Sequence, residues 1–335
     1  MISAEARAVH DAALIIDLHC DLLLTDFFLR WDWRRRHRHN PLPGAALMGH
    51  CDIPRMRAGN IGCLALGVVV SPFRRASGPR AIGADLDKIQ RRVEENPEDL
   101  ALACTPQAIR SAHARGRIAC FAGLEGAHGL DGRLDVLPDF QRRGLGYVGL
   151  AHFTANAACR PMVGLGQSTT VGLTDFGRAL VDELNRLGIV VDVAHVNKPG
   201  VLEVCRRSTA PVICSHTACT AVHPSPRGLD DAQLRAIADT GGVIGVIFVT
   251  PFIGPGGIAA VVAHLEHIRD TVGIGHCAIG SDWEGWAIYP DGLNSADKMP
   301  LLTEALLRRG WSAADIFAAY GGNFLRVMAE AQRGP

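Results

Sequence analysis

At 335 residues with 48% hydrophobic side chains, the chain can bury a large core, as one large α/β domain or two small ones. Thirty-four basic residues balance 34 acidic ones, so no global field draws it to nucleic acid or to an anionic membrane. The ligands to expect are small molecules held in a local site.

No stretch approaches the ~18 apolar residues that cross a bilayer, and residues 1–7 lack the basic start and apolar run of a secretory signal. The expectation is a cytoplasmic protein without membrane or nucleic-acid partners. Ten cysteines show no framework spacing. Cys63, Cys120, Cys214 and Cys277 sit inside apolar runs, where a free thiol acts as a small hydrophobe, so disulfides are not expected.

Strand-like and helix-like patterns alternate along the chain. A first apolar run, Leu14-Ile15-Ile16, leads into Asp17-Leu18-His19-Cys20-Asp21. Residues 61–70 read as a strand and 81–95 as a helix. A strand over 117–123 runs into Leu124-Glu125-Gly126, and another over 146–151 ends at His152. The helix predicted over 173–187 aligns Leu173, Leu180, Leu184 and Leu187 on one face, with Gly188 as its stop. Strands then end at Asp192-Val193-Ala194-His195 and at Ser215-His216. Helices at 230–239 and 257–272 flank a strand over 242–248. A strand at 277–280 ends in Ser281-Asp282, and helices at 296–309 and 313–329 close the chain.

About eight strands, most followed by a helix, predict a (β/α)8 barrel of TIM type spanning residues 1–335 as one domain. The alternative is an open doubly wound sheet, but its Gly-rich phosphate turn is replaced here by His19-Cys20-Asp21.

In such a barrel, polar residues at strand ends gather on one rim. His19 and Asp21 are two apart, so strand alternation sends both to one face and Cys20 elsewhere. Imidazole and carboxylate suit zinc or a similar divalent ion, although His-x-Asp by itself is a weak signal that a capped strand end would also produce. His195 and His216, each closing its own apolar run, and Glu125 after another strand give enough donors for two metals, with Glu125 as the bridge. The three lysines, Lys88, Lys198 and Lys298, do not end strands, which leaves no candidate for a carboxylated-lysine bridge. Asp282 could move a proton between water and a leaving amine, or it could simply cap the next helix. His152 could polarise a carbonyl. Arg227 could clamp a carboxylate with two parallel hydrogen bonds, or stand solvated in its loop.

These residues resemble the membrane (renal) dipeptidase family, a branch of the amidohydrolase superfamily. The likeness runs through Asp17 to Asp21, Asp52-Ile53-Pro54-Arg55, Gly123 to Gly126, Leu173-Thr174-Asp175, Asp192 to His195, Ser215-His216, Gly280-Ser281-Asp282 and Gly321-Gly322-Asn323-Phe324. The resemblance implies a barrel with two zinc ions, one held by His19 and Asp21, the other by His195 and His216, with Glu125 bridging. It implies that His152 binds the scissile carbonyl, Arg227 the substrate's terminal carboxylate, and that Asp282 is the acid/base. The implied substrate is a dipeptide, with a D-residue accepted at the C-terminal position, cleaved by metal-activated water. A homodimer is implied as well.

Three departures stand out. Pro226-Arg227-Gly228 replaces a usual Pro-Arg-Asn, Ser281-Asp282-Trp283-Glu284-Gly285 replaces Ser-Asp-Phe-Asp-Gly, and Ala194 precedes His195 where Ser is usual. Gly228 and Trp283 are expected to reshape the substrate pocket, which keeps open a lactam, lactone or N-acyl amino acid as substrate. A non-catalytic metal-binding homologue is the rival from another class. The basic, aromatic run from Arg30 to His39 is expected near the barrel mouth, solvated or assisting acidic substrates. His264 and His267 are expected to be structural, at the rear of the barrel.

Overall fold

Eight apolar runs become parallel strands: β1 (Ile15–Cys20), β2 (Ile61–Val69), β3 (Ile118–Glu125), β4 (Leu145–Gly149), β5 (Val190–Asp192), β6 (Val212–Cys219), β7 (Val243–Val246) and β8 (Cys277–Ile279). The computed structural model describes residues 2–38, 48–70 and 78–333. Each strand pairs in parallel with the next from β1 to β8. Helices cover the outer face, so both sides of the sheet are buried, which is why the strands read as continuous apolar runs rather than as alternating ones.

The barrel closes where β8 meets β1, through backbone bonds just beyond the strands. Asp282 N donates to His19 O at 2.9 Å and Asp21 N to Trp283 O at 2.8 Å. Beside them the Asp17 carboxylate accepts the Ser281 amide at 2.7 Å and its hydroxyl at 2.5 Å. The seam therefore lies next to the residues of chemical interest.

All eight strands send side chains into one buried cluster, including Ile16, Ala65, Phe121, Tyr147, Ile213 and Ala278. This is the filled interior of the barrel. Phe324, Leu325 and Met328 of the helix Asn323–Gln332 join the same cluster. A second, larger cluster lies between the strands and the outer helices.

The helix over Asp175–Leu187 matches its sequence signals closely. Thr174 caps it by accepting from Gly177 N at 3.0 Å, and Gly188 ends it at φ +69°. Two short strands escaped the sequence reading. Leu100–Leu102 pairs with the first half of β3, and Gly228–Leu229 pairs with the end of β6. Both are too short to carry a period.

All ten cysteines are free thiols. Among the described residues no helix is long and apolar enough to cross a membrane. His39 lies outside the described residues. In the rest of its basic run Trp33 is buried, the Trp31 ring stacks on His37 at 3.6 Å, and Arg36 meets Asp297 at 2.5 Å.

His264 is structural, as expected, but it does not lie at the rear. Its Nδ1 accepts from Cys219 N, at the C-terminal end of β6, at 3.0 Å, and its Nε2–H donates to Ile253 O at 3.1 Å. The helix Ile258–Val272 carries it there. His10 is held similarly, by Thr303 and Gly59. Burial pushes both imidazoles down to about 4.

Because the folded pKa is depressed, the neutral form is favoured. Stability is present above the unfolded value near 6.5 and is lost as pH falls toward 4. Between pH 7 and 5 each histidine should cost about 2 kcal/mol. Urea unfolding of chelator-treated protein at the two pH values should show this fall. Replacing both residues with Gln should flatten the slope.

Candidate active site

The predicted residues meet at the C-terminal rim. Glu125, the last residue of β3, is the centre. Its Oε1 lies 3.0 Å from His195 Nε2 and 3.6 Å from both His216 Nε2 and His152 Nε2. Its Oε2 lies 3.6 Å from His19 Nε2. His19 Nε2 is 3.5 Å from Asp21 Oδ1 and 3.9 Å from Asp282 Oδ1. The two imidazoles of His195 and His216 face each other, Nε2 to Nε2, at 3.0 Å.

The supporting bonds fix which nitrogen faces inward. Tyr147 donates its hydroxyl proton to Leu18 O at 2.9 Å, so that oxygen accepts His19 Nδ1–H, also at 2.9 Å. Ser215 donates to Asp192 at 2.6 Å and accepts His216 Nδ1–H at 2.9 Å. Both histidines thus turn Nδ1–H outward and Nε2 toward the cradle, with the orientation imposed by an outer partner. Removing the Tyr147 hydroxyl should weaken metal binding about 10–100-fold by freeing the His19 ring. Titration of Tyr147→Phe with zinc against a competing chelator measures this.

Asp17 and Asp192 repeat one device. Each accepts the amide and the hydroxyl of a serine on the adjoining segment, Ser281 for Asp17 and Ser215 for Asp192. Asp192 also accepts from Ala194 N at 3.0 Å. This holds the backbone leading to His195, which turns at φ +64°. Asp282 likewise sits at φ +61°. Left-handed backbone at non-glycine residues costs of order 1–2 kcal/mol each, and it collects at functional sites.

Burial, and then the Arg227 cation, hold His195 well below its ordinary value; burial and the neighbouring imidazoles do the same for His216. Both stay neutral. Burial opposes protonation of His19, but Tyr147, Glu125 and Asp21 raise it well above the usual range. Burial would raise Glu125, yet His152, His19 and His195 hold it well below. The cradle carries excess negative charge that draws in a proton, and a divalent cation would satisfy the same field.

A metal fits by three observations. His19 Nε2, Asp21 Oδ1 and Glu125 Oε2 are buried without hydrogen-bond partners. Such atoms normally find one. Among the described residues, three donor sets each lie within 4.8 Å: His19, Asp21 and Glu125; Glu125, His195 and His216; and His19, His216 and Asp282. Finally, Gly67 leaves the space open. A Cβ there would come within 2.4 Å of Asp21 Oδ1 and 3.0 Å of His19 Cε1. Nitrogen and oxygen donors of this kind suit zinc.

Above the cradle lies a cavity of about 480 Å³ lined by Asp21, Glu125, His152, His195, Arg227 and Asp282, with an apolar wall. Arg227 is not a solvated loop residue; it is 1% exposed. Its guanidinium donates to Met162 Sδ at 3.1 Å and His216 O at 3.3 Å, its Nε has no partner, and Phe252 covers it at 5.8 Å. No carboxylate among the described residues pairs with it. Asp282 caps no helix; it opens the turn that Tyr289 ties down by donating to Asp282 O at 2.5 Å.

Two expectations about the pocket need correction. Trp283 is buried, packs on Phe248 at 5.6 Å and donates its Nε1–H to Leu293 O at 3.2 Å. Its backbone lies on the barrel seam, which turns the ring into the core and out of the cavity. Gly228 pairs with β6 instead. A Cβ there would crowd Thr220. The tryptophan that does line the cavity is Trp286. Tyr147, Asp17, Asp192 and Gly67 were missed as supports. The only signal for the aspartates was that each precedes a candidate histidine by two or three residues.

A parallel barrel that gathers buried imidazoles and carboxylates at its C-terminal rim is the architecture of metal-dependent hydrolases of the amidohydrolase type. The chain belongs to the membrane dipeptidase family (peptidase family M19), whose pattern matches residues 3–334. It is a metallo-dipeptidase, a hydrolase of peptide bonds. Among similar crystal structures is a metallo peptidase from Rhodobacter sphaeroides liganded with a phosphinate mimic of the dipeptide L-Ala-D-Ala. It is 26% identical, covers 95% of this chain and 99% of that one, and has a TM-score of 0.82. The dipeptidase AC, a metallo peptidase of the same family, is 26% identical over 96% of this chain and 99% of that one, with a TM-score of 0.83. The probable dipeptidase PvdM from Pseudomonas aeruginosa shares the fold at 22% identity, covering 98% of each chain, with a TM-score of 0.84.

Proposed function

We propose that the protein hydrolyses dipeptides at a two-zinc centre, with His19 and Asp21 on one ion, His195 and His216 on the other, and Glu125 between them. The observation that carries this reading is the position of Glu125, within 3.6 Å of four imidazoles through its two oxygens. Bound there, a pair of divalent ions supplies Lewis acidity and lowers the pKa of water.

The protein's own side chains do the rest. Arg227, buried without a carboxylate partner, receives the substrate's terminal carboxylate in a two-pronged bond. His152 donates to the carbonyl oxygen as charge develops on it. Asp282 accepts the proton of the attacking water and delivers it to the departing amine. A D-residue at the C-terminal position is accepted, in keeping with the L-Ala-D-Ala mimic held by the Rhodobacter relative. The molecule works as a cytoplasmic homodimer of one-domain chains, in line with the family resemblance.

The test is a panel of L,L- and L,D-dipeptides set against N-acyl amino acids and lactams, using zinc-loaded protein. Turnover of both dipeptide series, with at least a hundredfold preference over the other substrates, is expected. Preference for an N-acyl amino acid would overturn the reading. So would retention of KM in Arg227→Ala, since loss of a buried bidentate ion pair should raise KM by at least about tenfold.

A further inference from the structure

The cavity has two unlike ends. Arg227 closes one, on the loop that follows β6. In an eight-stranded barrel β2 lies four strands from β6 in either direction, and so faces it across the mouth. The wall on that side is apolar. Val69 ends β2, Leu24 comes from the helix after β1, and Trp286 comes from the turn after β8. Among the described residues of this wall no charged side chain stands above Asp21 and Asp282 at the base.

Trp286 is held in place. Its backbone is left-handed, at φ +56°, its ring rests on Phe28 at 5.1 Å, and its Nε1–H donates to Thr25 Oγ1 at 3.4 Å. Thr25 in turn donates to Glu284 Oε2 at 3.2 Å, and Glu284 accepts the amides of Gly49, His50 and Cys51. Yet Trp286 remains 39% exposed and lines the cavity. A rigid aromatic face, fixed through a buried network and left facing the cavity, is a surface prepared for an apolar group.

We infer that this wall receives the side chain of the substrate's N-terminal residue and selects bulky apolar ones, with Trp286 as the specificity-determining residue. The inference rests on the dipeptide reading above. With the terminal carboxylate at Arg227 and the scissile carbonyl over the cradle, the part of a dipeptide before that carbonyl extends toward β2. A cavity of about 480 Å³ leaves room for a large side chain there. Dipeptides beginning with Leu or Phe are the favoured class, over those beginning with Gly, Ala or Glu.

Phosphinate mimics of Xaa-D-Ala, with Xaa as Gly, Ala, Leu, Phe or Glu, test this by calorimetry on zinc-loaded protein, alongside kcat/KM for the matching dipeptides. The Leu and Phe mimics should bind about 10–100-fold more tightly than Gly, the range expected for burying one such side chain. In Trp286→Ala that gap should shrink to about threefold or less while the Gly mimic keeps its affinity, and Trp286→Phe should restore most of the gap. Circular dichroism confirms folding of both variants. A flat series, a preference for Glu, or an equal loss for all mimics in Trp286→Ala would overturn the inference. If the size ladder holds in binding but no dipeptide is cleaved, the hydrolytic reading fails and the pocket stands. If dipeptides are cleaved but the ladder is missing, hydrolysis stands and the apolar pocket falls.

Discussion

Asp282→Asn should lower kcat by about 10²–10⁴, the usual weight of a positioned general acid/base, while zinc content stays at the wild-type level. The two outcomes separate because Asp282 stands at the margin of the cradle, its Oδ1 3.9 Å from His19 Nε2. Burial, and then the Asp21 carboxylate, raise its pKa well above the usual carboxylate range, against the pull of His19 and Arg227. A carboxylate of raised proton affinity suits taking a proton from water and passing it to an amine. Asn preserves the shape and the left-handed turn, which asparagine tolerates, so the variant should fold. Metal analysis beside steady-state kinetics makes the check. Unchanged turnover would remove Asp282 from the reaction, and a parallel loss of zinc would make it a ligand through the third donor set, His19, His216 and Asp282.

Much of this site was legible in the sequence because a parallel barrel converts primary order into position. Apolar runs buried on both faces mark strands, and whatever polar residue ends each run must reach the same rim. His19, Asp21, Glu125, His195 and His216 were found in that way. The alternation rule separated Asp21 from Cys20, which packs in the outer core. What stayed hidden depends on contacts between strands. Tyr147 lies inside an apolar run, and its hydroxyl matters only because β4 places it 2.9 Å from His19 Nδ1. Gly67 reads as a weak point in a strand until a Cβ is built toward Asp21. Trp283 and Trp286 look equally able to line a pocket. The seam between β8 and β1 turns the first into the core and leaves the second at the mouth. Arg227 could not be told from a solvated loop residue, because its burial comes from Met162 and Phe252, each at a distance in the chain.

Glu125→Gln should have the other large effect, and on a different observable. Glu125 belongs to two of the three donor sets, the one with His19 and Asp21 and the one with His195 and His216. Replacing its carboxylate with an amide keeps the volume but removes the negative charge that both halves share, and it sets an NH₂ donor toward either His19 or His195. Stoichiometry should therefore drop from two zinc ions to one or none, measured by mass spectrometry under native conditions. The loss of several kcal/mol of charge stabilisation corresponds to a fall in kcat/KM of at least about 10³. His19→Ala should behave differently, since it removes a donor from one side and leaves Glu125, His195 and His216 in place. One ion should remain bound there. Equal stoichiometry in the two variants would mean that Glu125 serves one ion only, and the bridging role would then be lost even if the enzyme still needed metal.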